Sequence, residues 1–163
     1  MDCLNSAAFP AAQAAGCAPI INALHKGTDL ISPVKPNTIA SSIAIGNPAD
    51  GDYVVHAVRE SGGWGESVTD EEIIEGITLL ARTEGIFTEP AGGTEVAVTR
   101  KLIQKGRIPR DESIVISITG NGYKTFEAVA RSVEQPYTIK ATLENFDQLY
   151  QHLNPPVSQA AGS

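Results

Sequence analysis

A glycine-containing turn after an apolar run is the part of the sequence best suited to hold a ligand. The run Ser113–Thr119, SIVISIT, is almost continuously apolar and β-branched, which is typical of a strand covered on both faces in a parallel sheet. The letters GNG then turn the chain toward a predicted helix over 125–133. Ligands of open α/β sheets bind beyond the carboxyl ends of the strands, so Thr119 and Asn121 would face a ligand. A tight turn that uses glycine for positive φ explains the same letters equally well.

Glu89 is the second candidate for chemistry. It lies in the run GIFTEPAGG, between an extended piece and a glycine-rich helix start, so its carboxylate would point into a cleft. A solvated acid, or one that stabilises the positive end of a helix dipole, is an equally good explanation. The acids of Thr69-Asp70-Glu71-Glu72 are explained as a helix capping box, and we assign them no catalytic role.

Other familiar sites are not indicated. A Walker phosphate loop requires GxxxxGK[ST], and the glycines before Lys124 are too closely spaced. Cys3 and Cys17 form no CxxC pair, so neither a disulfide framework nor a zinc site is expected. The histidines show no ligand spacing; they are His25, His56 and His152. A metal site is therefore not predicted.

Composition restricts the class of protein. The chain has 163 residues, of which 42% are hydrophobic and 19% charged, as in one ordinary globular domain. Its formal net charge of −7 argues against nucleic acid or an anionic membrane as partner, because either requires a basic surface. No run approaches the roughly 18 apolar residues of a membrane span, and the N-terminus lacks a signal-peptide layout. We expect a cytoplasmic protein that binds a small molecule or another protein.

The first part of the chain alternates predicted helices with short apolar segments. The alanine-rich stretch 11–24 predicts a helix that begins or restarts at Pro19. Asn47 as N-cap and Pro48 at the first helical position predict a helix that runs to about Glu60. Two further predictions are a buried strand, or the approach to a loop, over 38–45 and a short strand over 64–68.

The clearest helix start in the sequence is the capping box, because apolar residues recur after it with helical spacing. These residues are Ile73, Ile77, Leu80 and Ala81. The helix should run to about Glu84 and end at Gly85. Later predicted elements are a helix from Gly92 and Gly93 that ends before Gly106, a strand near 137–140 and a helix over 143–153. Alternating helices and strands predict an α/β fold with right-handed crossovers.

Several pieces of the sequence resemble threonine synthase in identity, order and spacing. They are QAAGCAPI at Gln13, TIASSIAIGNPADG at Thr38, ESGGWGESVTDEEI at Glu60, EGIFTEPAGG at Glu84 and ITGNGYKT at Ile118. The match runs from about Gln13 to Val133 and more weakly to Leu153. GIFTEPAGG and TGNG also have looser counterparts in threonine and serine dehydratases. The resemblance implies part of a fold-type II pyridoxal-phosphate enzyme, similar to the tryptophan synthase β subunit, a three-layer α/β sandwich with a parallel sheet.

The resemblance also implies an activity and a set of cofactor-binding residues. Threonine synthase converts O-phospho-L-homoserine and water to L-threonine and phosphate with pyridoxal phosphate. By this resemblance Thr119 would hydrogen-bond the pyridine nitrogen of the cofactor, and Glu89 would lie near cofactor and substrate. The other cofactor-binding residues implied are Gly46 and Asn47 in a loop beside the ring, and Gly120 and Asn121 in the turn.

One feature of the family is missing from this sequence. The family carries the lysine that holds the cofactor as a Schiff base in an SFKD-like motif, within an N-terminal half that also contains a phosphate-binding loop. The lysines here stand in other contexts; they are Lys26, Lys35, Lys101, Lys105, Lys124 and Lys140. We therefore assign no catalytic residue and expect the chain alone to be inactive.

The resemblance predicts three segments. Residues 1–12 do not match the family, 13–153 form the C-terminal portion of the pyridoxal-phosphate domain, and 154–163 should be a disordered tail. An alternative function is a non-catalytic interaction module that pairs with a full-length chain or a separate N-terminal half; a homodimer is a further option. A small phosphate-binding domain that uses TGNG is disfavoured, because Lys124 is the only basic residue beside it.

Overall fold

The computed structural model describes residues 7–133 and 136–154, and the chain divides into two compact units between Ser132 and Val133. The first unit contains two strands and four α-helices among the described residues; these are β1 (Ala11–Ala14), α1 (Pro19–Lys26), α2 (Gly51–Glu60), β2 (Gly65–Val68), α3 (Asp70–Glu84) and α4 (Pro90–Gln104). Short 3-10 helices occupy Ala15–Cys17, Ser41–Ile43 and Gly122–Ala128. The second unit contains α5 (Leu143–Leu153).

The strands β1 and β2 pair in parallel, with Ala11 opposite Gly65 and Ala14 opposite Val68. The strand predicted over 64–68 is confirmed, and so is the helix start at Pro19. The prediction of helix from Ala11 is wrong. Alanine favours helix locally, but pairing with β2 satisfies the backbone of this segment and overrides that weak preference.

Helix α3 forms as predicted. The Thr69 N–H donates to Glu72 Oε2 at 2.8 Å, and the Glu72 N–H donates to Thr69 Oγ1 at 3.3 Å, which completes the capping box. The helix ends at Gly85, whose φ of 70° is the left-handed conformation that favours glycine. Ile73 and Ile77 are buried on its inner face.

The core of the first unit lies where α3 and the two strands pack against α4. Gly76 of α3 faces the backbone of Gly93 in α4, so the two helices approach closely. The buried residues around this contact are apolar; they include Ala14, Ala40, Val68, Ile73, Ile77, Val98 and Leu102. Removing this apolar surface from water is what holds the helices on the sheet.

Before β2, the predicted helix start is wrong, and of the two alternatives for 38–45 the strand is wrong and the approach to a loop agrees with the structure. Helix α2 begins at Gly51 and not at Pro48, and Asn47 lies in a bend that caps no helix. The segment 38–45 contains a 3-10 helix and no strand. Its start is fixed by side-chain bonds, because Thr38 Oγ1 donates to Asp70 Oδ1 at 2.6 Å and the Ile39 N–H donates to Asp70 Oδ2 at 3.2 Å.

The predicted strand Ser113–Thr119 is also wrong, because no strand among the described residues pairs with this segment. Val115 is 94% exposed, and Ile114 and Ile116 are exposed as well. An apolar, β-branched run becomes a strand only when neighbours complete its hydrogen bonds. The helix predicted over 125–133 is replaced by the 3-10 helix, which is broken at Thr125 (φ −137°, ψ 38°).

Helix α4 begins at Pro90, two residues before the predicted glycines, and ends before Gly106 as expected, where φ is 67°. In the second unit, α5 has the predicted bounds, and the Asn145 N–H donates to Thr142 Oγ1 at 3.3 Å as an N-cap. No strand forms over 137–140. The predicted disordered tail lies outside the described residues, except for Asn154. None of the described helices is long and apolar enough to cross a membrane.

Candidate functional site

Two segments that are distant in sequence meet in front of α4. We name this contact, between Phe87–Pro90 and Thr119–Gly122, the Glu89 junction. Thr88 and Asn121 form an antiparallel bridge. The Glu89 N–H donates to the Gly120 carbonyl at 3.1 Å, and the Gly122 N–H donates to the Phe87 carbonyl at 3.0 Å. The backbone therefore places the TGNG turn directly beside the start of α4.

Glu89 occupies the N-cap position of α4 in extended conformation (φ −70°, ψ 169°), but its carboxylate accepts no bond from the helix. The side chain lies instead on the Cα of Gly120. A Cβ at position 120 would stand 1.9 Å from Glu89 Oε1 and 2.1 Å from its Cδ. Glycine at 120 thus creates the space that the carboxylate occupies.

Thr88 stabilises the Glu89 junction through a buried hydrogen bond. It is 1% exposed, and its Oγ1 donates to the Gly120 carbonyl at 3.0 Å. The Thr88 hydroxyl fits because Gly92, in the first turn of α4, has no side chain; a Cβ there would lie 2.1 Å from Thr88 Oγ1. The sequence interpretation missed Thr88, although it stands beside Glu89 in GIFTEPAGG. Its role depends on a residue 32 positions away, so no local pattern indicates it.

The polar residues of the turn differ in what they contact. Asn121 Oδ1 accepts the Tyr123 N–H at 2.9 Å, so this side chain stabilises the turn itself, as the tight-turn interpretation expects. The ring of Tyr123 meets Phe87 edge-on, with centroids 5.3 Å apart. Thr119 is exposed, and its hydroxyl forms no hydrogen bond within the described part of the chain. It is the polar group that the turn leaves available to a ligand.

Gly46 and Asn47 lie in a different loop. The Gly46 carbonyl accepts the Val34 N–H at 2.9 Å, and its Cα packs against the Val34 carbonyl, where a Cβ would stand 1.9 Å from the oxygen. Asn47 is exposed. No hydrogen bond of the described residues connects this loop with the Glu89 junction. The structure thus brings together Glu89, Gly120 and Asn121, with Thr119 next in the chain.

Two lysines and a partly buried acid lie on or directly after α4. Lys101 Nζ donates to the Ser67 carbonyl at 2.9 Å and lies 3.4 Å from Glu72, and Lys105 forms an ion pair with Glu66. Both ammonium groups therefore have anionic neighbours. Burial raises the pKa of Glu95, whose Oε2 is without a hydrogen-bond partner in the described ranges.

The fold is that of an enzyme class that uses pyridoxal phosphate. The sequence profile of the family described as pyridoxal-phosphate dependent enzyme matches residues 6–120, and the chain belongs to that family. Its similarity to threonine synthases, expected from the motifs, is confirmed. It is 44% identical to threonine synthase of Methanocaldococcus jannaschii over 142 residues, which are 86% of this chain and 35% of that one. It is 48% identical to that of Halalkalibacterium halodurans over 116 residues, 71% of this chain and 32% of that one.

Solved structures confirm the α/β fold of fold-type II pyridoxal-phosphate enzymes. Threonine synthase from Escherichia coli superposes with a TM-score of 0.60 at 20% identity, over 86% of this chain and 32% of that chain. Maize serine racemase superposes with a TM-score of 0.59 at 16% identity, over 77% of this chain and 40% of that chain. The chain thus spans about a third of the length of the threonine synthases it matches.

The residues of the junction fit one side of the cofactor. Pyridoxal phosphate is a flat ring with a nitrogen that accepts a hydrogen bond, and Thr119, an exposed hydroxyl residue of the junction, is of a type that could donate one. Gly120 lets backbone and the Glu89 carboxylate approach closely. The two lysines of α4 have anionic neighbours, and neither stands in an SFKD-like context.

Proposed function

We propose that this chain forms the cofactor-ring side of a threonine synthase active site, and that the complete protein converts O-phospho-L-homoserine and water to L-threonine and phosphate. The chain alone is expected to be inactive, because none of its lysines stands in the motif that holds the cofactor covalently. The observation that carries the proposal is the Glu89 junction. Two family motifs that are far apart in sequence meet there through Thr88, Glu89 and Gly120.

The described residues suggest how this side of the site works. When bound, pyridoxal phosphate supplies the electron sink that lets protons leave carbon and phosphate leave the substrate. The Thr119 Oγ1 hydroxyl would donate a hydrogen bond to the ring nitrogen. Because a hydroxyl is neutral, it leaves that nitrogen largely unprotonated, which moderates electron withdrawal and suits elimination chemistry. The Glu89 carboxylate, held against Gly120, accepts hydrogen bonds from N–H or O–H groups of the bound molecules.

The remaining proposed contacts are less direct. Gly46 and Asn47 would form a loop beside the ring, and close packing of Gly46 on Val34 supports a fixed backbone there. Asn121 holds the turn through the Tyr123 N–H, so its contribution to cofactor binding is the position of Thr119. We propose a cytoplasmic location, and O-phospho-L-homoserine as substrate, as the resemblance to threonine synthase implies.

A chimera tests the proposal directly. The matching 142-residue stretch of the Methanocaldococcus jannaschii threonine synthase is replaced by the corresponding residues of this chain. The chimera should release phosphate and form threonine from O-phospho-L-homoserine, whereas this chain alone with added pyridoxal phosphate should do neither. Thr119→Ala in the chimera should lower kcat about tenfold, the value of one hydrogen bond. Phosphate release and threonine are measured on the same samples.

Lys124→Ala is the matched control, since Lys124 is an exposed residue of the same turn region. It should lower kcat much less than Thr119→Ala, and an equal or larger effect would remove Thr119 from the ring contact. A folded chimera that binds pyridoxal phosphate, seen by its absorption, but forms no threonine would contradict the proposed activity. So would covalent capture of the cofactor by this chain alone after borohydride treatment, because it would show that one of its own lysines serves.

A second candidate function is a non-catalytic module that pairs with a longer threonine synthase chain or a separate N-terminal half. The exposed run around Val115 favours it, because Ile114, Val115 and Ile116 present apolar side chains and backbone groups that no described strand pairs with. A polypeptide that adds a strand there would bury these side chains. This module would need no catalytic residue of its own.

Association can be measured separately from catalysis. The purified chain should form a mixed species with an N-terminal fragment of the Methanocaldococcus jannaschii enzyme in light scattering after size exclusion. Val115→Lys should weaken this association, while Val133→Lys, at an exposed position outside the run, should not. If the two polypeptides remain separate, or if both variants behave alike, pairing through this run is wrong.

A further inference from the structure

A cleft lies in the first unit, where the end of α1, the start of β2 and the segment after α4 meet. It encloses about 310 Å³ and is lined by Leu24, His25, Trp64, Glu66, Lys105 and Arg107. None of these residues belongs to the Glu89 junction. The volume is at the lower end of the range for small-molecule sites, which suits a compact ligand.

The charges of this cleft do not cancel. Glu66 is only 7% exposed and forms an ion pair with Lys105. Burial alone would raise the pKa of Glu66, but the Lys105 ammonium, with Lys101 and His25 nearby, outweighs this and lowers it. Glu66 therefore stays ionised and neutralises one cation. Within the described residues no carboxylate pairs with the Arg107 guanidinium, so the cleft keeps a net positive charge.

The guanidinium of Arg107 is held in place before any ligand arrives. Its Cζ lies 3.9 Å from the centroid of the Trp64 ring, a cation–π contact that restricts the position of the group. The Arg107 N–H donates to the Leu102 carbonyl at 2.9 Å, and Gly106 takes φ 67°, so the turn that follows α4 is fixed as well. Stacking uses the face of the guanidinium and leaves the N–H donors at its edge for another acceptor.

His25 adds a second polar group with a defined orientation. Its Nε2 donates to the Gly65 carbonyl at 2.9 Å, since a carbonyl only accepts. Nδ1 is then the ring nitrogen that makes no hydrogen bond among the described residues, and the ring lines the cleft. The ring centroid lies 6.2 Å from that of Trp64.

We propose that this cleft binds a small oxyanion, the carboxylate or phosphate-monoester group of a metabolite, through the fork of Arg107 stacked on Trp64, with Lys105 and His25 at its sides. A planar fork of N–H donors matches two oxygens of a carboxylate or phosphate and gives short, charge-assisted hydrogen bonds. Glu66 binds Lys105 and repels any anion placed too deep, which keeps the ligand at the Arg107 edge. The site is separate from the proposed active site and does not depend on it.

Trp64 provides the readout, because it is the only tryptophan of the chain. Its fluorescence is followed while inorganic phosphate or succinate is added at constant ionic strength, with sodium chloride as reference. A saturable change with phosphate, succinate or both is expected, and the responding anion identifies which oxyanion is preferred. Isothermal titration calorimetry measures the same binding without the fluorophore. Chloride producing the same change, or no saturable change with either oxyanion, would overturn the proposal.

Variants of Arg107 distinguish hydrogen bonding by its guanidinium fork from attraction by its charge alone. Arg107→Gln should weaken binding at least about tenfold, and Arg107→Lys, which keeps the charge and loses the fork, should also weaken it. Arg110→Gln removes an exposed arginine of the same loop and should have no effect. Equal affinities of the Arg107→Gln and Arg110→Gln proteins, both shown to be folded by circular dichroism, would overturn the assignment.

Discussion

Gly120→Ala is expected to leave the chain folded and to lower threonine synthesis by the chimera about 100-fold. The added Cβ would stand 1.9 Å from Glu89 Oε1, so the carboxylate must leave its position on the turn. The displaced atoms are the end of a flexible side chain, and the backbone at 120 does not have positive φ. The free energy of unfolding should therefore change by less than about 1 kcal/mol. Displacing by about 1 Å a group that positions the bound molecules is enough to cost about two orders of magnitude in rate.

The double variant with Glu89→Ala distinguishes this mechanism from a general disturbance of the turn. If Gly120→Ala acts by displacing the carboxylate, adding it to Glu89→Ala should lower kcat little further, because the affected group is already gone. Activity is measured in the chimera, and the unfolding midpoint in urea is measured on the chain. Independent, multiplicative losses would show that Glu89 and Gly120 contribute separately. An unchanged rate in Gly120→Ala would remove Glu89 from the site.

Elements that depend on neighbouring residues could be predicted from the sequence. Helix α3 contains its own start signal in Thr69 and Glu72 and its own stop signal in Gly85, and the structure forms all of them. Helix α5 has the predicted bounds for a similar reason, since Thr142 caps it locally. In both cases the hydrogen bonds that define the element join residues a few positions apart. A local pattern is then sufficient information.

Elements that depend on distant partners could not be predicted from the sequence. Residues 11–14 have alanine-rich, helix-favouring composition, yet they form β1 because β2 offers backbone partners more than fifty positions later. The run around Val115 shows the opposite case. Its composition favours a strand, but the described chain supplies no neighbour for it, and the segment stays unpaired. Composition indicates which secondary structures a segment can adopt, and backbone pairing with a neighbouring strand decides whether it forms a strand.

The candidate site also contains features that the sequence indicates and features that only the fold reveals. The local pattern indicates Glu89 and the TGNG turn as candidates, the resemblance to a family implies their cofactor roles, and the structure brings Glu89, Gly120 and Asn121 together. Spacing alone left the turn open between a ligand site and a plain turn. The structure assigns the Asn121 side chain to the turn and leaves the Thr119 hydroxyl exposed. Thr88 gave no signal, because its only distinguishing feature is a bond to a residue that the fold brings close.

Gly76→Ala is expected to destabilise the chain by about 2 kcal/mol, although alanine is the better helix former. Gly76 lies inside α3, where the exchange alone would stabilise by about 1 kcal/mol. A Cβ at this position would stand 2.3 Å from the Gly93 carbonyl oxygen and 3.2 Å from the Ala97 nitrogen. Both are backbone atoms of α4, so the collision is relieved only if the helices move apart. Overpacking of this kind costs about 1–3 kcal/mol or more.

The destabilisation caused by the collision exceeds the stabilisation from better helix propensity, because separating α3 from α4 also disturbs the core around Ile73 and Ile77. Urea unfolding, followed by circular dichroism, measures the difference. Thr78→Ala is the control, since Thr78 is exposed on α3 and donates only to the Ile74 carbonyl of its own helix. It should change the free energy of unfolding by less than about 0.5 kcal/mol. If Gly76→Ala raises the midpoint as helix propensity alone predicts, the close approach of the two helices is not what holds this unit together.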